Sequence, residues 1–230
     1  MKTRMLVGLL SGLFVVSMVW AGQGNRDNPG VIPPQASYAG MTYAEWSARW
    51  WQWALSLPVD QNPFFDEEGD CSNGANGQLG PVWFLTGVIN VSGIAERNCT
   101  VPAGKALFFP IINTECSTLE PPPFFGADEE ELHDCVTSFG FTDVFAGIDG
   151  VGVRNLDRYL VESPLFTFTV PPDNVLGVDP GNGQSVANGH YLMLAPLAVG
   201  EHTIHFGGTY PNFDFTLEIT YHLTVVSRKP

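Results

Sequence analysis

A chain of 230 residues with 24 acidic and 10 basic side chains carries a formal charge of −14 at pH 7. That balance argues against nucleic acid and anionic lipid as partners, since both present phosphate charge of the same sign. With 44% hydrophobic and only 15% charged residues, the chain has the apolar content for one full core.

Lys2 and Arg4 precede an apolar run over 5–20, and Val19-Trp20-Ala21 has the form of a signal-peptidase site. The run is shorter than the ~20 residues of a comfortable membrane span. It therefore predicts a removable secretory signal over 1–21, and a secreted or periplasmic protein without a membrane span in the mature part. No Cys stands at the cleavage point to take a lipid anchor. An irregular leader is expected over 22–40, where Asn28, Pro29, Gly30, Pro33 and Pro34 interrupt any regular element.

The densest stretch follows, with Trp46, Trp50, Trp51 and Trp53 in one predicted helix over 42–57. Thr42 and Glu45 form a T-x-x-E capping box, Met41 and Trp46 stand where a hydrophobic staple would, and Pro58 stops the run. At ~100° per residue, Trp46, Trp50, Trp53 and Leu57 share one line, and Glu45, Arg49, Gln52 and Ser56 form a narrow polar stripe. Such a helix needs cover on most sides. Trp51 lies off the main line, so Arg49, Trp51 and Gln52 are the candidate ligand-binding residues.

Residues 58–80 read as a loop with the acids Asp66, Glu67, Glu68 and Asp70. Continuous apolar runs over 81–89 and 105–112 predict strands buried on both faces. From 113 to 148 the pattern changes to a helical insertion. Asp128 caps a helix with Glu129, Glu130 and Glu131 in its first turn, and Thr142 caps a second short one through Ile148. Strands are expected over 156–162 and 165–170, a Gly/Pro/Asn-rich connection over 171–189, and strands over 191–194 and 201–206. The strict alternation from Phe215 to Val225 predicts a strand with one face on a core and one in water.

Cys71, Cys99, Cys116 and Cys135 are even in number in an exported chain, which predicts two disulfides. Cys71–Cys99 and Cys116–Cys135 are the favoured pairing because each closes a local loop. A metal cluster is the weaker reading, since no C-x-x-C pair exists. These elements predict a mainly β protein: an antiparallel β-sandwich of immunoglobulin-like or jelly-roll type over 41–230, closed by the Trp-rich helix. Residues 197–206 resemble, weakly, the turn and strand near the end of immunoglobulin-like modules. The segments WSARWWQW, GPVWFL and VPAGKALFFP resemble those of a family of uncharacterised secreted bacterial proteins. That resemblance implies a bacterial source and export, and it carries no catalytic residue across.

No G-x-S-x-G elbow or H-E-x-x-H motif is present. His202 and His205 fall on opposite faces of a strand, so they read as surface or hydrogen-bonded residues; a hairpin from Phe206 and Phe215 would set His205 near Thr216. Asp66, Glu68 and Asp70 offer oxygens of the kind Ca²⁺ takes, but without EF-hand spacing, and a solvated charge run is the plainer reading. Trp51, Trp83, Phe64, Phe65, Phe124, Phe125, Tyr210 and Phe213 could form a stacking platform, though core packing explains most such aromatics. The leading expectation is a non-catalytic binding or structural module with a glycan or surface-protein partner. The alternative is a secreted, glycan-directed hydrolase with paired carboxylates in a cleft.

Overall fold

The computed structural model describes residues 28, 30–66, 69–89 and 93–227. The expected signal, most of residues 22–29, Glu67, Glu68, 90–92 and 228–230 lie outside them. The first helix, α1 (Tyr43–Leu55), begins as its sequence dictates. Glu45 N–H donates to Thr42 Oγ1 at 3.3 Å, and Thr42 N–H donates to the Glu45 carboxylate at 2.7 Å.

Ten strands follow: β1 (Val82–Phe84), β2 (Gly93–Pro102), β3 (Ala106–Ser117), β4 (Thr142–Ile148), β5 (Val151–Gly152), β6 (Leu160–Glu162), β7 (Phe166–Val170), β8 (Gly181–Leu194), β9 (Gly200–Tyr210) and β10 (Phe215–Val226), with α2 (Glu129–Thr137) between β3 and β4. They make two sheets. The first runs β1-β3-β8-β6, with β7 also on β8; the second runs β2-β10-β9-β4-β5. The protein is a β-sandwich, and the chain changes sheet between β1 and β2, between β2 and β3, and again after β3, β5 and β8.

The first sheet is the middle of three layers. Phe109 faces Phe206 of the second sheet at 4.9 Å, while Phe108 packs toward α1 against Tyr43 at 5.9 Å and stacks on Tyr191 at 5.4 Å. Covered on both faces, β3 is buried nearly throughout, which is why its sequence is a continuous apolar run. β10 has one covered face and alternates as expected. α2 closes one end through Leu132 and Val136. Both disulfides form in the favoured pairing, Cys71–Cys99 and Cys116–Cys135.

The structure departs from the sequence expectations in six places. Two pairings are parallel, β1 with β3 and β2 with β10, because the excursions to the opposite sheet return these strands in the same direction. β2 was not foreseen: its inward positions are Arg97, Cys99 and Val101, and an arginine in the core phase hides the alternation. The segment from Thr142 is a strand paired with β9, where capping chemistry predicted a helix. β1 ends at Phe84, and the rest of the apolar run to 89 is irregular. The connection placed over 171–189 contains the first nine residues of β8, whose glycines admit neighbours: a Cβ on Gly183 would meet the Phe168 ring at 2.6 Å, and one on Gly189 the Asn113 side chain at 2.4 Å. Within the β9–β10 hairpin the loop is shorter than expected, so His205 lies opposite Thr220, not Thr216.

Candidate functional site

The helix residues singled out by sequence do not form a cleft. Trp51 is buried and donates from Nε1 to Tyr191 Oη at 3.2 Å, with its ring edge-on to Trp50 at 5.0 Å. It belongs to the core, which corrects the expectation that its place off the main line left it free. Gln52 Nε2 donates to the Thr167 carbonyl on β7 at 2.8 Å. Arg49 is exposed and reaches Gln52 Oε1 at 3.5 Å. The i,i+4 partner Glu45 is held by the capping box instead. Lys105, a second isolated cation, bonds the Gly80 carbonyl.

The acidic loop uses its oxygens internally. Asp66 is buried and accepts from Ser72 Oγ at 3.1 Å and Asn73 N–H at 3.2 Å, and Asp70 accepts from Ser72 N–H at 2.9 Å. Glu68 lies outside the described residues. Among the described residues no group of three His, Cys, Asp or Glu is placed to hold a metal. The expected aromatic platform divides in two. Trp51 and Phe64 are core, while Phe124, Phe139, Tyr210 and Phe213 cluster near α2, with Phe124 stacked on Phe213 at 5.4 Å.

One carboxyl pair does exist, and no spacing in the chain signals it. Glu115 on β3 is buried on the α1 side of the first sheet, where it accepts from Ser185 Oγ of β8. Glu120 accepts from Ser117 Oγ at 2.9 Å. Burial, and then the neighbouring Glu120 charge, push Glu115 well above its ordinary 4.5. Burial also raises Glu120, against hydrogen bonds from Glu115 and Ser117 that lower it. Oε1 of Glu115 meets no donor among the described residues. A proton on that oxygen resolves the conflict, since a neutral Glu115 carboxyl donates to the Glu120 carboxylate. Glu115 is 4% exposed and Glu120 only partly buried, so the pair does not put two carboxyl groups into the open cleft a hydrolase of this type needs. On β8, opposite Ile112, His190 is also buried with Nδ1 unpartnered among the described residues, and burial lowers its pKa.

Several hollows open among the described residues, and two of them bear on binding. A shallow groove of about 490 Å³ lies on the outer face of the second sheet, lined by Phe145, Gly147, Gly150, Gly152, Thr203, His205 and Thr220. Phe145 and His205 pack at 4.9 Å, and His205 Nε2 bonds Glu218 at 2.9 Å. Gly150 and Gly152 make the space, because a Cβ on either would meet nothing within 4 Å. The second is a cavity of about 180 Å³ between the Cys71–Cys99 disulfide, Trp83, Phe84, Leu85, Thr86, Arg97 and Tyr221, with Asp70, Asn98 and Thr100 among its wall residues. Arg49, Trp51 and Gln52 line neither.

Fold and sites together define a disulfide-stapled β-sandwich. No protein-family model and no curated protein matches the sequence. Among solved structures, Amebosin in its solution structure aligns over 63% of this chain and 100% of its own, at 12% identity and a TM-score of 0.21. A chain from the structure of PbICP-C in complex with falcipain-2 aligns over 65% of this chain and 100% of its own, at 13% identity and a TM-score of 0.23. Scores this low carry no argument about fold or function. The two disulfides fit an oxidising, non-cytoplasmic compartment, and among the described residues no helix is long and apolar enough to cross a membrane.

Proposed function

We propose that this protein is an exported bacterial binding module that acts without catalysis and takes a neutral oligosaccharide in the groove on the second sheet. The observation that carries this is the composition of that groove. A sugar ring needs an apolar platform for its C–H face and hydrogen-bonding groups around its hydroxyls. Phe145 supplies the first, and Thr203, Thr220 and the His205–Glu218 pair supply the second. The volume of about 490 Å³ falls within the few hundred to about 1,000 Å³ usual for small-molecule sites. Net charge of −14 disfavours uronate or sulfated glycans. Export is supported by the basic-then-apolar start of the chain and by its likeness to secreted bacterial sequences.

A hydrolase reading has one observation in its favour, the adjacent Glu115–Glu120 pair, and the burial of Glu115 weighs against it. The test is titration of the mature protein with a panel of neutral oligosaccharides, with product assayed in parallel. Binding without turnover is expected. Gly152→Val, which fills the groove from open space, and Phe145→Ala, which removes the platform, should each abolish binding. Binding that survives both, or product formation lost in Glu115→Gln, would overturn the reading.

A further inference from the structure

Arg97 is among the largest fully buried side chains, 1% exposed, and it points inward from the edge strand β2. Nη1 donates to the Pro63 carbonyl at 2.6 Å, to Thr86 Oγ1 at 3.1 Å and to Tyr221 Oη at 3.5 Å, and Nη2 donates to the Gly87 carbonyl at 3.3 Å. The guanidinium carbon also lies 5.9 Å from the Tyr221 ring centroid. All these acceptors are neutral. Nε is buried without a partner, and no ion pair joins Arg97 to a carboxylate among the described residues.

A buried cation without a counter-charge is costly, because carbonyls and hydroxyls replace its hydration only in part. Part of its role is architectural, since it ties the Pro63 and Gly87 backbones to β2. An arginine pointing inward from an edge strand also discourages edge-to-edge pairing. Neither role needs a cavity beside it, yet Arg97 lines the cavity of about 180 Å³.

We infer that this cavity is a binding site for a single carboxylate borne on a short apolar stem. The guanidinium, with no carboxylate partner among the described residues, supplies the charge, and Nε–H is the donor still open to a carboxylate. Trp83, Phe84 and Leu85 provide apolar wall for the stem. A cavity of ~150 Å³ holds benzene, so the stem is limited to a few carbons. Asp70 also lines the cavity, and its charge repels a dianion more than a monoanion, which favours a carboxylate over phosphate or sulfate. A free short-chain acid and the side chain of an acidic peptide share this chemistry.

The test is titration of the mature protein with sodium propionate and with an N-acetylated, C-amidated glutamate peptide, against sodium chloride at matched ionic strength, followed by amide chemical shifts. Saturable shifts around the cavity are expected with at least one carboxylate, and the tighter of the two identifies the source. Arg97→Met should weaken binding about ten- to a hundredfold, as loss of hydrogen bonds to a charged group predicts. Asp70→Asn should tighten it about two- to fivefold by removing a like charge at the rim. Identical responses to propionate, peptide and chloride, or unchanged affinity in Arg97→Met, overturn the site. Should Arg97→Met not fold, Asp70→Asn decides, and affinity that stays level or falls is then the negative result. The site is independent of the oligosaccharide groove, so Gly152→Val should leave carboxylate binding unchanged.

Discussion

In α1 every indole N–H has an acceptor: Trp46 reaches Tyr38 O at 3.0 Å, Trp50 reaches Leu85 O at 2.9 Å, Trp51 reaches Tyr191 Oη at 3.2 Å and Trp53 reaches Asn76 O at 2.9 Å. On β2 the buried Arg97 leaves Nε without one and, among the described residues, its charge without an opposite. Four tryptophans of one helix, the ligand candidate Trp51 among them, are thus fully engaged by their own fold, and a residue that looks like a strand interruption is not. Saturated polar groups mark architecture, because their energy is already committed to holding loops and sheets together. Unsatisfied ones beside a cavity mark a place for something else to bind.

The sharpest way to break this comparison is at Trp50. It is 1% exposed and packs edge-on against Trp51, Trp53 and Phe64. Trp50→Ala removes the largest buried side chain and leaves the Leu85 carbonyl without its donor, so about 3–5 kcal/mol of stability should be lost. Denaturant unfolding reads this as a fall in midpoint. A loss below about 1 kcal/mol would mean that α1 is not the cover of the sheet.

The carboxyl pair sharpens the comparison from the acid side. Unfolded, Glu115 ionises near 4.5; folded, burial holds its pKa well above that. The folded state therefore keeps a proton that the unfolded state releases. Its contribution to stability is complete below 4.5 and is lost as pH rises through the folded value. Thermal midpoints should fall with rising pH over that range, and Glu115→Gln, which keeps the shape and the Ser185 contact without the proton, should flatten the fall. His202 adds a smaller trend of the same sign. A hydrogen bond to Asp149 is the main cause of its raised pKa, so its contribution is complete below 6.5 and fades above. A Glu115→Gln profile parallel to wild type would remove Glu115 as the source of the fall.

How much of this could be read from the chain depends on whether the signal was local. Thr42 and Glu45 are three residues apart and fix the helix start by themselves. Phe215 to Val225 alternate because one sheet face is wet. Each disulfide closes a short loop, 28 and 19 residues in separation, so proximity in chain was a sound guide. β8 was hidden because its glycines answer to Phe168, Leu119 and Asn113, which are distant in sequence. The groove was hidden for the same reason, since Phe145 was expected in a helix and meets His205 only through the pairing of β4 with β9. Arg97 carried one local clue, its place in phase with Cys99 and Val101. That clue reads as a broken strand until the partner strand is known.

The smallest effects separate the two polar residues of the helix. Gln52 satisfies a carbonyl of β7, a strand at the edge of the first sheet, and Gln52→Ala leaves Thr167 O to water at a cost of about 0.5–1.5 kcal/mol. Arg49 is exposed and touches only Gln52 at the limit of hydrogen bonding, so Arg49→Ala should fall within about 0.5 kcal/mol of wild type. Thermal melts of the two variants side by side test the order. Neither substitution should change oligosaccharide or propionate binding, because both sites lie away from the outer stripe of α1. If Arg49→Ala proves the costlier of the two, or if it alone weakens a ligand, the outer stripe is a contact surface and the saturation of the tryptophans describes only its underside.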